Sequence, residues 1–269
     1  MCGKFNLIST REQLAQLFSV DISDEISGAH RPQGVATPGS TVIGISADGS
    51  EGNFHFRYYR WGLTPKWLAG DLKTNYLFNT RSETIRDKYT FRSAFQYRRA
   101  IIPADNFWEW SSVKDPDLSY KKDQESSQKY IAESLFSLED GISRDQQSRS
   151  KKTKQGFTFY RNDKIPFALA AIFEISVMPK SGLGTDVSYP AGKDQDLYIV
   201  KEKKDVLLYS CSIITTAANH DMSSIHDRQP VILEERDWGY WLDHQSTSGE
   251  LIDLLKPAPD GIFRCEKSG

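Results

Sequence analysis

The chain is poor in cysteine, with only Cys2, Cys211 and Cys265 among its 269 residues. Their odd number and the lack of a CxxC pair argue against a disulfide scaffold or zinc knuckle and for a reducing compartment. No run approaches the roughly 18 apolar residues of a membrane span. No apolar h-region of a secretory signal precedes Cys2, and Cys2 occupies the place that N-myristoylation reserves for glycine. A soluble protein with no membrane partner is the expectation. Walker, GxGxxG and GxSxG motifs are also missing, which leaves nucleotide-binding folds and serine hydrolases without their signatures. His30, His55, His220, His226 and His244 show no HxH, HExxH or Cys/His spacing, so no metal and no cofactor are expected. A dominant charge is lacking too. The formal net charge of −2 leaves any affinity for nucleic acid to a local patch.

What is present begins at Cys2. Removal of Met1 gives one carbon framework a free α-amine and a thiol, with reference pKa values near ~7.7–8.0 and ~8.5, so both are partly nucleophilic at neutral pH. A 1,2-aminothiol traps aldehydes: the amine condenses to an imine and the thiol closes a five-membered ring. The other reading of Cys2 is an accidental cysteine at position two.

Length and a 38% hydrophobic content suit one large domain or two small ones; one domain over 1–269 with polar insertions is favoured. Arg11–Phe18 has helical spacing behind Ser9 or Thr10. Thr41–Ser46, Phe54–Arg60, Ala100–Pro103, Phe167–Ile175, Leu197–Val200 and Ser212–Thr216 are short, β-branched or aromatic runs that read as strands. Ser82–Asp87, Phe91–Arg98 and Gly249–Leu255 read as helices. Without regular strand–helix alternation this is an α+β chain with a mainly antiparallel core. The Lys, Asp, Gln and Ser mixture of 111–164 reads as a solvated insertion, and the Gly- and Pro-containing stretch from Met178 to Asp196 as a surface loop. The tail after Leu255 either packs or frays.

Between Arg57 and Arg99 ten basic residues face three acids, a local excess of 10 − 3 = +7, interleaved with aromatic residues. Cations for phosphates and rings for unstacked bases make a single-stranded nucleic-acid groove; rings in the core and cations in solvent explain the pattern equally. WGLTPKW, Trp61–Trp67, reads as a shaped loop in which Trp67 either presents a stacking surface or is buried. In IIPADNFWEW, Glu109 between two tryptophans is either a desolvated general acid–base or a strand-end glutamate in solvent. His226, in the polar turn before Pro230, is a candidate proton carrier or a structurally bonded histidine.

MCGKF, RWGLTPKW, FNTRSETI, FRSAFQYRRAIIPADNFWEW and HDRQPVIL occur here in one order, and that order resembles the SOS response-associated peptidase family, proteins that shield abasic sites. The resemblance covers most of 1–110 and resumes around 166–174 and 213–242. It implies a barrel-like β core with a few flanking helices. It also implies that the protein itself removes Met1 and that Cys2 captures the ring-opened abasic-site aldehyde in single-stranded DNA as a thiazolidine. On the matching positions Asn79 would orient the Cys2 terminus, Glu109 would shuttle protons, and His226 would assist imine formation. Lys4, Trp67, Arg81 and Arg228 would touch the DNA. The setting would be cytoplasmic and nucleoid-associated in a bacterium, nuclear in a eukaryote. Lys4 departs from the family's usual arginine and loses bidentate phosphate geometry. Ala36-Thr37-Pro38 only approximates the usual Asn-x-Ala-Pro turn, and AAIFE near Ala171 replaces a more typical Ala-Gly-Leu-Trp-Glu.

Two other classes fit part of the pattern. N-terminal-nucleophile glutamine amidotransferases also begin Met-Cys-Gly, but that reading leaves the NTRSE, WEW and HDRQP segments without a role. A noncatalytic single-strand-binding module would use the basic, aromatic stretch alone and would not need Cys2.

Overall fold

A computed structural model describes residues 2–20, 33–47, 53–68, 77–111, 155–179 and 205–268. In chain order the elements are β1 (Phe5–Leu7), α1 (Arg11–Phe18), β2 (Gly34–Ala36), β3 (Thr41–Ala47), β4 (Phe54–Trp61), β5 (Asn79–Arg81), α2 (Tyr89–Tyr97), β6 (Arg99–Ala104) and β7 (Asn106–Trp110). They continue with β8 (Gly156–Arg161), β9 (Phe167–Pro179), β10 (Asp205–Ala217), α3 (His220–Ser223), β11 (Arg228–Pro230), α4 (Glu235–Leu242), α5 (Ser248–Leu251) and β12 (Phe263–Lys267).

The β-branched and aromatic runs close on themselves. Strands pair in the order β10-β4-β3-β6-β9, and β9 pairs back onto β10, so five strands form a closed barrel with no free edge among them. Closure needs a small residue at one crowded point: a Cβ on Gly44 would stand 2.8 Å from both Ile102 and Tyr59. Most pairings are antiparallel; β4 and β5 each lie parallel to β10. A second, antiparallel sheet runs β12-β8-β7-β1-β2. The α+β class with a mainly antiparallel, barrel-like core is therefore the architecture of this chain.

Two apolar clusters follow from this arrangement. One packs Leu14, Phe18, Phe91, Phe95, Trp238 and Trp241 of α1, α2 and α4 against Ile45 and Phe56. The other joins Cys2, Phe5, Trp61, Phe107, Phe159 and Ile213. Phe107 and Phe159 stack at 5.2 Å, with Phe263 edge-on to both at 5.9 and 5.8 Å; each such pair contributes about 0.5–1.5 kcal/mol beyond its buried area.

Several expectations shift in detail. The polar segment expected over 111–164 ends in a core strand, because Gly156–Arg161 is β8 and Phe159 within it is buried. Ser111 donates to the Gln155 carbonyl at 2.8 Å, so β7 and β8 continue as a hairpin up to the edge of the described residues. Ser82–Asp87 is only a 3₁₀ turn over Ser82–Thr84, and Gly249–Leu255 divides into α5 and a 3₁₀ turn. The tail packs as β12 along β8. The strand expected at Leu197–Val200 lies outside the described residues, as does the expected loop beyond Pro179.

Candidate active site around Cys2

Strand pairing brings the amino-terminal segment to the site. Phe5 and Asn6 of β1 lie opposite Phe107 and Asn106 of β7, and Trp108 N–H donates to the Lys4 carbonyl at 2.9 Å. Asp105 secures the far end of β1: its carboxylate accepts from Ile8 N–H at 2.5 Å, Ser9 N–H at 2.9 Å and the Ser9 hydroxyl at 2.6 Å. Charge-assisted bonds of this kind contribute about 1.5–3 kcal/mol each. The register leaves Cys2 beside the end of β7 that carries Glu109.

Asn79 arrives on β5, which lies parallel to Ile213–Thr215 of β10 and is locked there by a 2.7 Å bond between the Thr80 and Ser212 hydroxyls. Its Nδ2 donates to the Cys2 carbonyl at 2.8 Å. Strand alternation turns Glu109 inward, on the same face as buried Phe107, and leaves its side chain 2% exposed. Trp108 and Trp110 point the other way. Glu109 is thus desolvated, as the sequence suggested, but by the inner face of the sheet and not by its tryptophan neighbours.

His226 hangs from α3. Asn219 caps that short helix by accepting from Met222 N–H at 3.2 Å, and His226 N–H donates to the Met222 carbonyl at 2.9 Å. Arg228 N–H donates to Nδ1 of His226 at 2.9 Å, which requires a lone pair there and places the neutral ring's proton on Nε2. Nε2 faces Oε2 of Glu109 at 4.0 Å, close enough for charge coupling and too long for a direct hydrogen bond. The exposed Asp227 carboxylate, 3.0 Å from the same Nδ1, competes for this atom only when the ring is protonated.

Burial holds the Glu109 carboxyl above the usual carboxylate range, with His226 pulling the other way. Burial, and after it the Glu109 charge, pushes the Cys2 thiol well above its ordinary value. In the chain that carries Met1, Cys2 is therefore a fully buried thiol whose ionisation is disfavoured, beside a carboxyl whose ionisation burial also disfavours. A thiol in this state becomes nucleophilic only when a base takes its proton.

The four residues expected to meet DNA are placed differently. Lys4 Nζ sits 4.5 Å over the Trp108 ring and Arg81 ends β5 exposed. Trp67, in the 3₁₀ turn Lys66–Leu68, is 64% exposed. Its loop is gripped at Thr64, whose N–H donates to Ser210 and whose carbonyl accepts from Ser176, both at 2.8 Å. Arg228 makes a bidentate pair with Glu83 at 2.5 and 3.0 Å and donates to the Thr215 carbonyl at 2.7 Å. Glu83, held below the usual carboxylate range mainly by that bond, ties the NTRSE segment to the His226 turn.

The basic, aromatic stretch does not stay together. Arg99 is buried and bonded to carbonyls, Arg98 pairs with Glu174 at 2.5 Å, and Arg60 is buried and donates to the Gly62 carbonyl at 3.2 Å. Tyr59, Trp61, Phe91 and Phe95 are core. Lys66, Arg81, Arg86, Lys88 and Arg92 remain exposed; Lys73 lies outside the described residues. The residues that position the site and that the sequence did not single out are Asp105, Thr80, Ser212, Ser176, Ser210, Asn219 and Glu83. Only Asp105, a turn residue between two apolar strands, carried a local signal. Among the described residues no group of three or more His, Cys, Asp and Glu could hold a metal ion, and no helix is long and apolar enough to cross a membrane.

The fold is a closed five-strand barrel whose amino-terminal cysteine lies beside an asparagine and a glutamate, the glutamate in turn facing a histidine. The chain belongs to the SOS response associated peptidase (SRAP) family, whose model matches residues 1–140 and 144–267. It is 29% identical over 256 residues to the abasic site processing protein YoaM of Bacillus subtilis, covering 95% of this chain and 85% of that protein. YedK of Escherichia coli, also named an abasic site processing protein, is 25% identical over 94% of this chain and 85% of its own length. HMCES of Rattus norvegicus, named likewise, is 28% identical over 76% of this chain and 50% of its own length. A crystal structure of a protein from Bacteroides thetaiotaomicron shares the fold, with TM-score 0.65, 17% identity and coverage of 99% of this chain and 91% of that one.

Proposed function

We propose that this protein processes abasic sites in single-stranded DNA by covalent capture at Cys2 after it has removed its own Met1. The observation that carries the reading is that Asn79 bonds the Cys2 backbone and Glu109 lies beside the Cys2 thiol while His226 faces Glu109, the three coming from separate segments. The relatives' names point to the same substrate.

The α-amine of Cys2 adds to the ring-opened sugar aldehyde, and the carbinolamine loses water once its hydroxyl is protonated. Glu109, with a proton held more tightly than in water, supplies that proton. His226 carries the proton that addition moves from the amine nitrogen to the carbinolamine oxygen; the carboxylate left on Glu109 takes the proton of the Cys2 thiol, the sulfur adds to the iminium carbon, and the nitrogen keeps its remaining hydrogen. One water leaves and a thiazolidine remains. Asn79 fixes the Cys2 backbone so that amine and thiol reach one carbon. Reversal runs through the same two proton carriers.

Loss of Met1 frees the α-amine of Cys2, the residue whose thiol is buried in the unprocessed chain. The test is a denaturing gel of mature protein with single-stranded DNA bearing one abasic site. A shifted band for the wild type and none for Cys2→Ala is expected. Absence of the band with the wild type, or its persistence with Cys2→Ala, overturns the reading, and ammonia release from glutamine would favour an amidotransferase instead.

A further inference from the structure

The five-stranded sheet has two faces, and the Cys2 site uses one of them. Residues paired across strands share a face. Asn6, Asn106, Tyr160 and Arg264 form one row, and Trp108, Thr158 and Glu266 form the next, which the Trp108 to Lys4 backbone bond extends to Lys4. Phe5, Phe107 and Phe159 point to the opposite, buried side. On the outer side each ring carries a cation: Lys4 Nζ is 4.5 Å from the centre of Trp108, and Arg264 Cζ is 5.0 Å from that of Tyr160.

Neither ring is sealed off. Trp108 and Tyr160 are half-buried, and the Arg264 side chain is 52% exposed. Arg264 also lies 3.4 Å from Glu266, but an exposed pair of that kind contributes only about 0–1 kcal/mol and yields to a better anion. Trp108 and Tyr160 stand on adjacent strands one row apart, a diagonal of roughly 7–8 Å. That exceeds the ~3.4 Å rise of stacked bases, so the pair suits an extended strand whose bases lie on protein rings. Trp108 and Glu109 point to opposite faces of the sheet, so a strand leaving the reaction site reaches this face around the sheet end where Lys4 follows Cys2 by two residues.

We infer that this outer face, through Trp108, Tyr160 and Arg264, binds the single-stranded nucleic acid that flanks the captured position. Rings take bases while Lys4 and Arg264 take phosphates, the division of labour of sequence-tolerant single-strand grooves. Sheet rigidity fixes the spacing, which makes the surface indifferent to base identity. The inference rests on the reading that the Cys2 site takes a single strand, but its test does not need covalent chemistry.

The experiment is fluorescence anisotropy with lesion-free oligothymidylates of about 6 to 24 nucleotides, a range that brackets the site sizes of single-strand grooves. Wild-type affinity is expected to rise with length. Arg264→Ala and Tyr160→Leu should each weaken the longest probe about five- to tenfold while changing the shortest less than about twofold. Arg264→Ala should also flatten the slope of log K against log salt by about 0.7. Because Tyr160→Leu could disturb folding, Arg264→Glu, on an exposed edge strand, provides a second variant. Equal affinity of wild type and variants on every length overturns the inference, and so does an equal loss on every length. A wild-type dimer that Tyr160→Leu dissolves, with DNA affinity unchanged, overturns it in favour of a protein-docking face. If the wild type gives no band on the denaturing gel yet shows the length-dependent loss, the capture reading fails and this surface stands.

Discussion

Nε2 of His226 lies 4.0 Å from Oε2 of Glu109, which sets a buried carboxyl in the sheet interior against an imidazole at the rim. Capture needs one group to give a proton and another to take one, so a bell-shaped dependence of capture rate on pH is expected. Glu109→Gln should abolish the alkaline limb, where the general acid loses its proton, and slow single-turnover capture by about 100-fold or more, the usual size of a general acid–base contribution. A series of quenched time points from pH 5 to pH 9 reads both quantities. An unchanged profile in Glu109→Gln would remove this carboxyl from the chemistry.

The same carboxyl should make the fold pH-dependent. Burial raises its folded-state pKa above the unfolded value, so the folded chain binds the extra proton and stability is greatest below the unfolded pKa. It is lost as pH rises through the folded pKa. Glu109→Gln, which cannot ionise, should therefore gain stability relative to wild type at pH 7 and not at pH 4. Each kcal/mol corresponds to about 2–4 °C in Tm for a chain near this size. Thermal melts of both proteins at the two pH values decide it; a constant difference would mean that the carboxyl is as well solvated folded as unfolded.

Asn79 acts on the Cys2 backbone through a single donated bond of 2.8 Å. Asn79→Asp keeps the shape and loses the donor, adding a negative charge near a thiol already raised by burial and, after it, by Glu109. Capture should slow by about tenfold or more, since one hydrogen bond in a low-dielectric site is worth about 1–3 kcal/mol. Noncovalent binding of lesion-free DNA should stay within twofold. If Asn79→Asp and wild type cross-link at the same rate, the amide does not orient the terminus.

The barrel strands were legible because β-branched runs bounded by turn residues have one sensible conformation. β8 was not: Gly156–Arg161 follows a long polar stretch, and only pairing with β7 and β12 shows that Phe159 belongs to the core. Glu109 was singled out from its tryptophan neighbours although alternation points both of them away from it; its burial comes from the inner face of the sheet. The density of cations between Arg57 and Arg99 misled for a related reason. Linear position says nothing about which guanidinium faces solvent and which, like Arg99, satisfies backbone carbonyls. The Asn79–Cys2 bond spans 77 residues of sequence and no local pattern encodes it; the resemblance to a family did.

Arg99 provides the sharpest separation of fold from chemistry. Its guanidinium is buried and donates to the carbonyls of Phe95, Gln96, Trp241 and Asp243, joining the carboxyl-terminal ends of α2 and α4, where a cation is also favoured by the helix dipoles. Burial pushes its pKa down to about 10, which still leaves the group charged at neutral pH. Arg99→Met strips these carbonyls of their donor inside the core. A loss of about 3–5 kcal/mol is expected, as for other buried charges deprived of a satisfied network. Arg99→Lys should not rescue it, because one ammonium cannot span the same acceptors. Urea denaturation measures the loss, and the fraction still folded should capture abasic DNA at the wild-type rate, since none of these carbonyls touches Cys2, Asn79, Glu109 or His226. A rate that falls in step with nothing but the folded fraction assigns Arg99 to stability; a slower rate in fully folded protein would mean that α2 and α4 communicate with the site.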